Sequence, residues 1–155
     1  MTRINLTKAS VLADQHLMRE YNELPRVLGL LDKHFAKTKK LPTNLPKNYT
    51  MGTGHIKFFY DKLLFLQKRQ AELVAELLKR NYNIQYIDNL DISRFPIELQ
   101  QDFSPSKYDI MISANRLLER VGEKPEFYKY YGEKYDPSSS GLSECVPEAY
   151  RHFRS

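Results

Sequence analysis

The first forty residues carry an apolar pattern with the period of an α-helix. The members of this stripe recur at alternating spacings of four and three residues, and they are Leu17, Tyr21, Leu24, Leu28, Leu31 and Phe35. Such spacing places them on one helix face that packs against a core. Pro25 lies inside the pattern and predicts a kink, because it offers no N–H to the carbonyl one turn before it. We therefore predict a kinked first helix that begins between Ser10 and Asp14 and ends near residue 40.

Two further helices follow from the same periodicity. Residues 55–80 carry a stripe that consists of Ile56, Phe59, Leu63, Leu66, Leu73 and Leu77. Asn81 or Asn83 would end this second helix, since asparagine tolerates the left-handed conformation of a helix C-terminus. A third helix begins near Ser106, whose pairing with Asp109 predicts a capping box, and ends at residues 122–125. No strand-like alternation is strong enough to predict a sheet. The pattern predicts three main helices.

Composition and charge narrow the class of protein. The chain has 155 residues, which suits one domain, and a net charge of +5. Residues 1–40 hold eight Lys and Arg against four Asp and Glu, so the positive charge is concentrated there. A basic region is consistent with a nucleic-acid partner. No apolar run is long enough to span a membrane, no signal-peptide core is present, and Cys145 is the only cysteine. We expect an intracellular protein, cytoplasmic or nucleoid-associated.

The polar face of the first helix is the main candidate for chemistry. Opposite the apolar stripe, at spacings of four and three, lie Gln15, Arg19, Asn22 and Arg26. His16 and Glu23 are seven residues apart and share nearly one azimuth. Such a face is either a solvated surface with weak ion pairs or part of a site. Thr2 becomes the N-terminus once Met1 is removed, and its α-amine has an ordinary pKa of about 7.7–8.0. The neighbouring charge of Arg3 would lower the pKa of that amine further.

Two regions near the C-terminus are candidates for contacts with an anion or with bases. Arg116 and Arg120 are four residues apart on the third helix, so they repel each other unless an anion lies between them. Residues 126–132 hold four aromatic side chains and a lysine. The aromatic rings and Lys129 either stack on bases and follow a sugar–phosphate backbone, or pack the C-terminal segment onto the core. Both roles are compatible.

Other types of site find little support. The four histidines have no metal-ligand spacing, a cysteine pair is absent, and neither a Walker nor a Rossmann motif occurs. Gly52 and Gly54 could offer backbone N–H groups to a phosphate, but they also suit a plain entry into a helix. We expect no metal and no cofactor.

A series of segments follows a fixed order over roughly residues 1–132, and they are MTRINLT, ADQHLM, EY, ELPRV, FFYDKL, KRQ, LKR and YKYYG. In this order they resemble the phage-type pyrimidine-dimer DNA glycosylases with lyase activity, the endonuclease V family. This chain departs from the family at Asn22, where the family has Arg, and at Phe127, where the family has Trp. Loss of that arginine removes one expected phosphate contact, which Arg19 is placed to replace.

The resemblance implies roles for particular residues. Thr2 would be the nucleophile through its α-amine, and Glu23 would assist as the carboxylate. The positions that would contact DNA are Arg3, Gln15, His16, Arg19, Asn22, Arg26, Arg116, Arg120, Tyr128, Lys129 and Tyr130. The implied activity is excision of cyclobutane pyrimidine dimers from duplex DNA, followed by cleavage of the abasic site.

We therefore expect an all-α fold, a single compact domain of three main helices. Its N-terminal segment would be threaded between them to deliver Thr2 beside Glu23. Residues 1–135 would form the endonuclease V-like domain, and residues 136–155 a flexible C-terminal extension. The expected partner is damaged double-stranded DNA, bound by a monomer without a membrane. A non-catalytic basic helical protein that binds DNA or RNA is the alternative.

Overall fold

A computed structural model describes residues 2–147 of the chain, and these residues form one mostly helical domain. Four helices of ten residues or more occur within this range: α1 (Asp14–Glu23), α2 (Arg26–Thr38), α3 (Leu63–Lys79) and α4 (Lys107–Glu123). Short 3₁₀ turns at Ala9–Val11, Lys57–Phe59, Ile97–Leu99 and Ser143–Cys145 connect or flank them. The prediction of an all-α fold is confirmed.

The predicted first helix is in fact two helices. Pro25 occupies the position before the first residue of α2, and around it the i→i−4 bonds give way to i→i−3 bonds, in which Val27 and Leu28 donate to the Leu24 and Pro25 carbonyls at 3.1 Å. Proline removes the N–H that would continue the ladder, so α1 stops and α2 starts afresh. The apolar stripe nevertheless runs through both helices, because Leu17, Leu24 and Leu31 are all fully buried. The number of main helices is therefore four rather than three.

The predicted second helix begins later than its periodicity indicates. Residues Lys57–Phe59 form a 3₁₀ turn, and the α-helix proper starts at Leu63. Immediately before it, Lys62 makes an isolated β-bridge with Gln100, and this pairing interrupts the helical backbone. At the other end, Asn81 has a φ of 66°, so the predicted asparagine does end the helix in a left-handed conformation.

The third predicted helix is α4, and its start is as expected. The Ser106 hydroxyl accepts from the Asp109 N–H at 3.1 Å, and the Asp109 carboxylate accepts from the Ser106 N–H at 3.0 Å. These two bonds form the predicted capping box. Ala114, Leu117 and Val121 are buried on its inner face. A small hairpin follows, in which β1 (Lys129–Tyr130) pairs antiparallel with β2 (Glu133–Lys134).

The N-terminal segment, residues 2–9, runs through the interior and is held by side chains from distant elements. Ser113 of α4 accepts from the Leu6 N–H at 2.9 Å. Arg69 of α3 donates to the Thr7 carbonyl, and Glu72 of the same helix accepts from the Ala9 N–H. Ile4 is completely buried. The threading of this segment between the helices is confirmed.

Residues 136–147 return to the core after the hairpin. A one-turn helix, α5 (Pro137–Ser140), is followed by Leu142 and Val146, which are both fully buried. Just before this segment, Tyr135 donates its hydroxyl proton to the Val11 carbonyl at 2.6 Å. The rest of the proposed extension, residues 148–155, lies outside the described residues. The division of the chain at residue 135 stays a prediction.

Candidate active site

A cleft of about 720 Å³ lies between the N-terminal segment, α1 and the C-terminal half of α4, with residues 127–128 along one side. Eight of the residues predicted to act in catalysis or DNA contact line it, and they are Arg3, Gln15, His16, Arg19, Glu23, Arg116, Arg120 and Tyr128. These positions come from both ends of the chain. The fold therefore brings into one cleft groups that the sequence separates by about a hundred residues.

A second cleft of about 520 Å³ adjoins the first on the other side of α1. Gln15, Arg19 and Glu23 line both clefts, while Asn22 and Arg26 line only the second. Asn22 and Arg26 are exposed to solvent. The polar face of α1 thus forms a ridge with a cleft on each side, and Glu23 lies on that ridge.

The N-terminal segment is fixed against α1 close to this ridge. The Asn5 side chain donates to Glu20 Oε1 at 2.8 Å, and Glu20 stands three residues before Glu23 on the same helix. Arg69 of α3 forms a buried ion pair with Glu20 at 2.7 Å, which orders the same carboxylate. Thr2 is buried, and its neighbour Arg3 lines the first cleft. The first residues of the chain therefore lie at the edge of the cleft that contains Glu23.

Glu23 is a nearly buried carboxylate between two arginines. Its side chain is 11% exposed, whereas those of Arg19 and Arg26 are each more than 60% exposed. Arg19 Nε lies 3.2 Å and Arg26 Nη1 lies 3.7 Å from Glu23 Oε1. This geometry leaves the two guanidinium groups open to solvent while the carboxylate is largely shielded from it. The arrangement suits a carboxylate that acts within a cleft whose outer edge attracts anions.

Three arginines converge on the opposite wall of the cleft. Burial and the positive charges of Arg116 and Arg120 lower the pKa of Arg3 from its ordinary value. Arg3 Nη1 is buried and has no hydrogen-bond partner among the described residues. Arg116 and Arg120 each have a single glutamate partner one turn later on α4. Mutual repulsion among three cations is relieved by an anion, so this wall is suited to a phosphate group.

His16 and Tyr128 form an uncharged wall of the same cleft. Their ring centroids are 4.5 Å apart with an interplanar angle of 32°. Burial, together with the charges of Arg19 and Arg120, lowers the pKa of His16 to about 4. The imidazole is therefore neutral near pH 7 and adds no further positive charge. A neutral aromatic wall with cations close by suits a nucleotide, which has both a flat base and a charged phosphate.

Some of the residues that were predicted to contact DNA form hydrogen bonds within the protein. The Gln15 amide donates to the Phe127 carbonyl at 3.0 Å and accepts from the Lys129 N–H at 2.9 Å. Tyr130 donates its hydroxyl proton to the Ser10 carbonyl at 2.7 Å. These bonds attach the aromatic segment to α1 and to the turn before it. Phe127 is left 56% exposed at the rim of the cleft.

A family model described as pyrimidine dimer DNA glycosylase matches residues 1–90, which is more than half of the chain. The chain belongs to the pyrimidine dimer DNA glycosylase family. Membership supports a DNA glycosylase whose substrate is damaged DNA. The matched residues include the N-terminal segment, α1, α2 and α3, and thus Thr2, Arg3 and the whole polar ridge of α1. The arginines of α4 and the aromatic segment lie beyond the match, yet they complete the same cleft.

The sequence reasoning missed several buried polar residues that organise this glycosylase. His55 is almost completely buried and its Nε2 accepts from the Ile4 N–H. Arg69 on α3 and Arg80, the residue directly after α3, are buried in ion pairs with Glu20 and Asp14 of α1. The only signal in the sequence was that polar residues interrupt an otherwise apolar helix face, and this signal does not identify a partner.

The described residues contain neither a metal-binding cluster nor a membrane-spanning helix. Within residues 2–147 no group of three or more His, Cys, Asp or Glu side chains could hold a metal ion. In the same part of the chain, no helix is both long enough and apolar enough to cross a membrane.

Proposed function

We propose that this glycosylase excises pyrimidine dimers from double-stranded DNA as a monomer, with the Thr2 α-amine as nucleophile and Glu23 as its assisting carboxylate. The observation that carries the proposal is the meeting of the N-terminal segment with the Glu23 ridge and a wall of three arginines in one cleft. Family membership and the N-terminal sequence MTRINLT support it.

The first chemical step breaks the bond between the sugar and the base. The neutral Thr2 amine attacks the anomeric carbon, and the base leaves with the electron pair of the glycosidic bond. Glu23 stabilises the positive charge that develops on the sugar, because its carboxylate lies close to the reacting carbon in the proposed complex. One carboxylate is sufficient, since the amine is itself the nucleophile and no water has to be activated.

The second step breaks the DNA strand. Opening of the sugar ring converts the amine adduct to an imine, whose positive charge makes the protons on the 2′ carbon acidic. Glu23 takes one of these protons, and the electron pair expels the 3′ phosphate by β-elimination. Hydrolysis of the remaining imine returns the free amine. The overall reaction is that of a glycosylase with abasic-site lyase activity.

We expect DNA to be held by the arginines that line the two clefts and by the aromatic side chains at the rim of the first cleft. In this proposal Arg3, Arg116 and Arg120 contact a phosphate at the first cleft, and Arg19, Asn22 and Arg26 contact the backbone along the second. His16, Tyr128 and the exposed Phe127 ring are placed to pack against a base or sugar. Gln15 acts through its bonds to residues 127 and 129, which set the position of this rim. Lys129 and Tyr130 belong to the same segment and complete the proposed contact surface.

The nucleophile is tested by trapping the imine with borohydride on DNA that contains an abasic site. Protein with a free Thr2 amine should become covalently attached to the DNA, and Thr2→Ser should do so as well, because the side chain takes no part. A form with one extra residue before Thr2 should not react, since the amine moves by about 3.8 Å. Equal trapping by the extended form would assign the nucleophile to an internal lysine and overturn the proposal.

A further inference from the structure

The carbonyl and the N–H of Ile4 are both bound by side chains from another part of the chain. His55 Nε2 accepts from the Ile4 N–H at 2.9 Å, and Tyr49 donates its hydroxyl proton to the Ile4 carbonyl at 2.9 Å. The three residues are buried, with exposures of 4% or less. Because Ile4 is two residues after Thr2, these bonds fix the chain about 7 Å from the start of Thr2.

The hydrogen bonds of His55 also determine where its proton lies. A backbone N–H can only donate, so Nε2 must be unprotonated to accept from Ile4. The other ring nitrogen, Nδ1, lies 2.8 Å from the Thr50 carbonyl and must therefore carry the proton that it donates. His55 is thus a neutral imidazole of one tautomer, oriented at both nitrogens.

The surroundings of His55 hold the ring in this state. The Tyr49 and Phe59 rings pack edge-on against it, with centroids 5.3 and 5.7 Å away. Gly54, with φ of 93°, forms the turn before it, and a Cβ there would lie 3.0 Å from Pro46. Burial, with a smaller contribution from the charge of Arg3, lowers the pKa of His55 to about 4. Protonation at Nε2 would abolish the bond to Ile4, and this does not occur near neutral pH.

We propose that His55 and Tyr49 act as positioning residues for the nucleophile, because together they clamp Ile4 and so hold the Thr2 amine in the cleft. The inference rests on the proposed function, since it concerns the same amine. Neither residue touches the reacting atoms. Their contribution should therefore appear in the rate of imine formation. It should not appear in the affinity for damaged DNA, because the arginines that line the two clefts provide that affinity.

Among the described residues, the charged groups that act on His55 and Tyr49 are Arg3, Glu20 and Arg69. Arg3 faces His55 from the N-terminal segment, and Tyr49 faces it from the loop before it. Glu20 and Arg69, from α1 and α3, act on the Tyr49 hydroxyl together with Arg3. Burial raises the pKa of Tyr49 well above its ordinary value, so its hydroxyl keeps its proton at any pH at which His55 titrates.

The test compares two replacements at position 55. His55→Phe keeps a ring but has no acceptor, whereas His55→Gln can still accept from Ile4 and donate to Thr50. We expect His55→Phe to form the trapped imine at least tenfold more slowly while its dissociation constant for dimer-containing DNA changes less than twofold. His55→Gln should recover most of the rate. Tyr49→Phe should resemble His55→Phe, and the surface replacement Tyr108→Phe should leave the rate unchanged.

A second measurement is independent of catalysis. The NMR signal of the Ile4 amide should shift strongly as pH falls through about 4 in the unmodified protein, and should not follow that titration in His55→Gln. A folded His55→Phe that traps DNA at the unmodified rate would overturn the clamp as a positioning device. Absence of trapping by the unmodified protein would instead contradict the proposed function, and the Ile4 signal would still show whether the clamp exists.

Discussion

The environment of Glu23 shows how one carboxylate can serve in a cationic cleft. Arg19 on the same helix and Arg26 at the start of α2 flank it, and both expose most of their side chains to solvent. A phosphate backbone that approaches the ridge therefore meets positive charge before it meets the carboxylate. Glu23 itself is nearly buried and lines both clefts. The proposed function thus places DNA binding and chemistry on different side chains within four residues of one another.

Glu23→Gln should separate these two roles. The amide keeps the shape of the side chain but cannot accept a proton, so we expect glycosylase turnover to fall at least about a hundredfold. Affinity for damaged DNA should stay the same or rise, because Arg19 and Arg26 lose their internal partner. Glu119→Gln removes the same charge from the partner of Arg116, outside the residues that line the cleft, and should leave turnover within about threefold. Similar losses in both variants, measured in single-turnover assays, would contradict the assignment.

At the scale of elements, buried ion pairs join the helices that form the site. Glu20 on α1 and Arg69 on α3 are 2.7 Å apart, and Asp14 on α1 and Arg80 at the C-terminal end of α3 are 2.9 Å apart. Asp14 also accepts from the N–H groups of Tyr131 and Gly132, so it ties the hairpin to the same helix. A buried pair of this kind contributes chiefly by fixing the arrangement, since removal of one partner leaves an uncompensated charge.

Two aspartates offer a matched test of this argument. Asp14 and Asp32 each lie 2.9 Å from an arginine, but Arg80 is fully buried whereas Arg94 is 45% exposed. We expect Asp14→Ala to lower the free energy of unfolding by about 3–5 kcal/mol. Asp32→Ala should lower it by no more than about 1 kcal/mol. Urea titration of both variants at pH 7 measures the difference, and equal effects would show that burial of the Asp14 pair is unimportant.

Truncations test the role of the last twenty residues. Removal of residues 148–155 should leave cleavage unchanged, because every residue that lines the two clefts lies before them. Removal of residues 136–155 takes away the buried side chains of Leu142 and Val146, each of which contributes about 1.5–3 kcal/mol. We expect a lower melting temperature but cleavage of dimer-containing DNA within a few fold at temperatures where the protein stays folded. A hundredfold loss in a folded truncation would place part of the active site in this segment.

Local sequence patterns predicted where the helices lie better than they predicted where the helices are interrupted. The apolar stripes, the Ser106–Asp109 capping box and the end at Asn81 depend on neighbouring residues, and all three are found. The late start of α3 depends on the pairing of Lys62 with Gln100, which are almost forty residues apart. Sequence periodicity contains no information about such a pairing, so the helix was predicted too long.

For the whole molecule, the residues of the candidate site also divide into those that local spacing predicts and those that only contacts between distant residues reveal. The polar ridge of α1 was predictable, since a helical spacing places Gln15, Arg19 and Glu23 on one side. The spacing of Arg116 and Arg120 and the aromatic composition of residues 126–132 gave two further candidate regions, and the resemblance to a family assigned them to DNA contact. His55 could not be identified, because its role depends on a backbone N–H that is 51 residues away. The predicted catalytic residues therefore come from patterns and resemblance, whereas the positioning residues come only from the fold.

Two histidines, His55 buried and His16 half-buried, should make the stability of the whole molecule sensitive to mild acid. Burial lowers the pKa of His16 and of His55 to about 4, whereas an unfolded chain has histidines with a pKa of about 6.5. Between these values the unfolded chain takes up two protons that the folded protein does not, so stability falls as the pH falls from about 6.5 toward 4. At pH 5 each histidine should lower the free energy of unfolding by about 2 kcal/mol relative to pH 7.5. His55→Gln removes one of these two titrating groups. Urea unfolding of this variant should therefore show a loss of unfolding free energy between pH 7.5 and pH 5 that is smaller by about 2 kcal/mol than in the unmodified protein. An identical loss in the two proteins would mean that His55 is protonated in the folded state, and the clamp on Ile4 would then be open at pH 5.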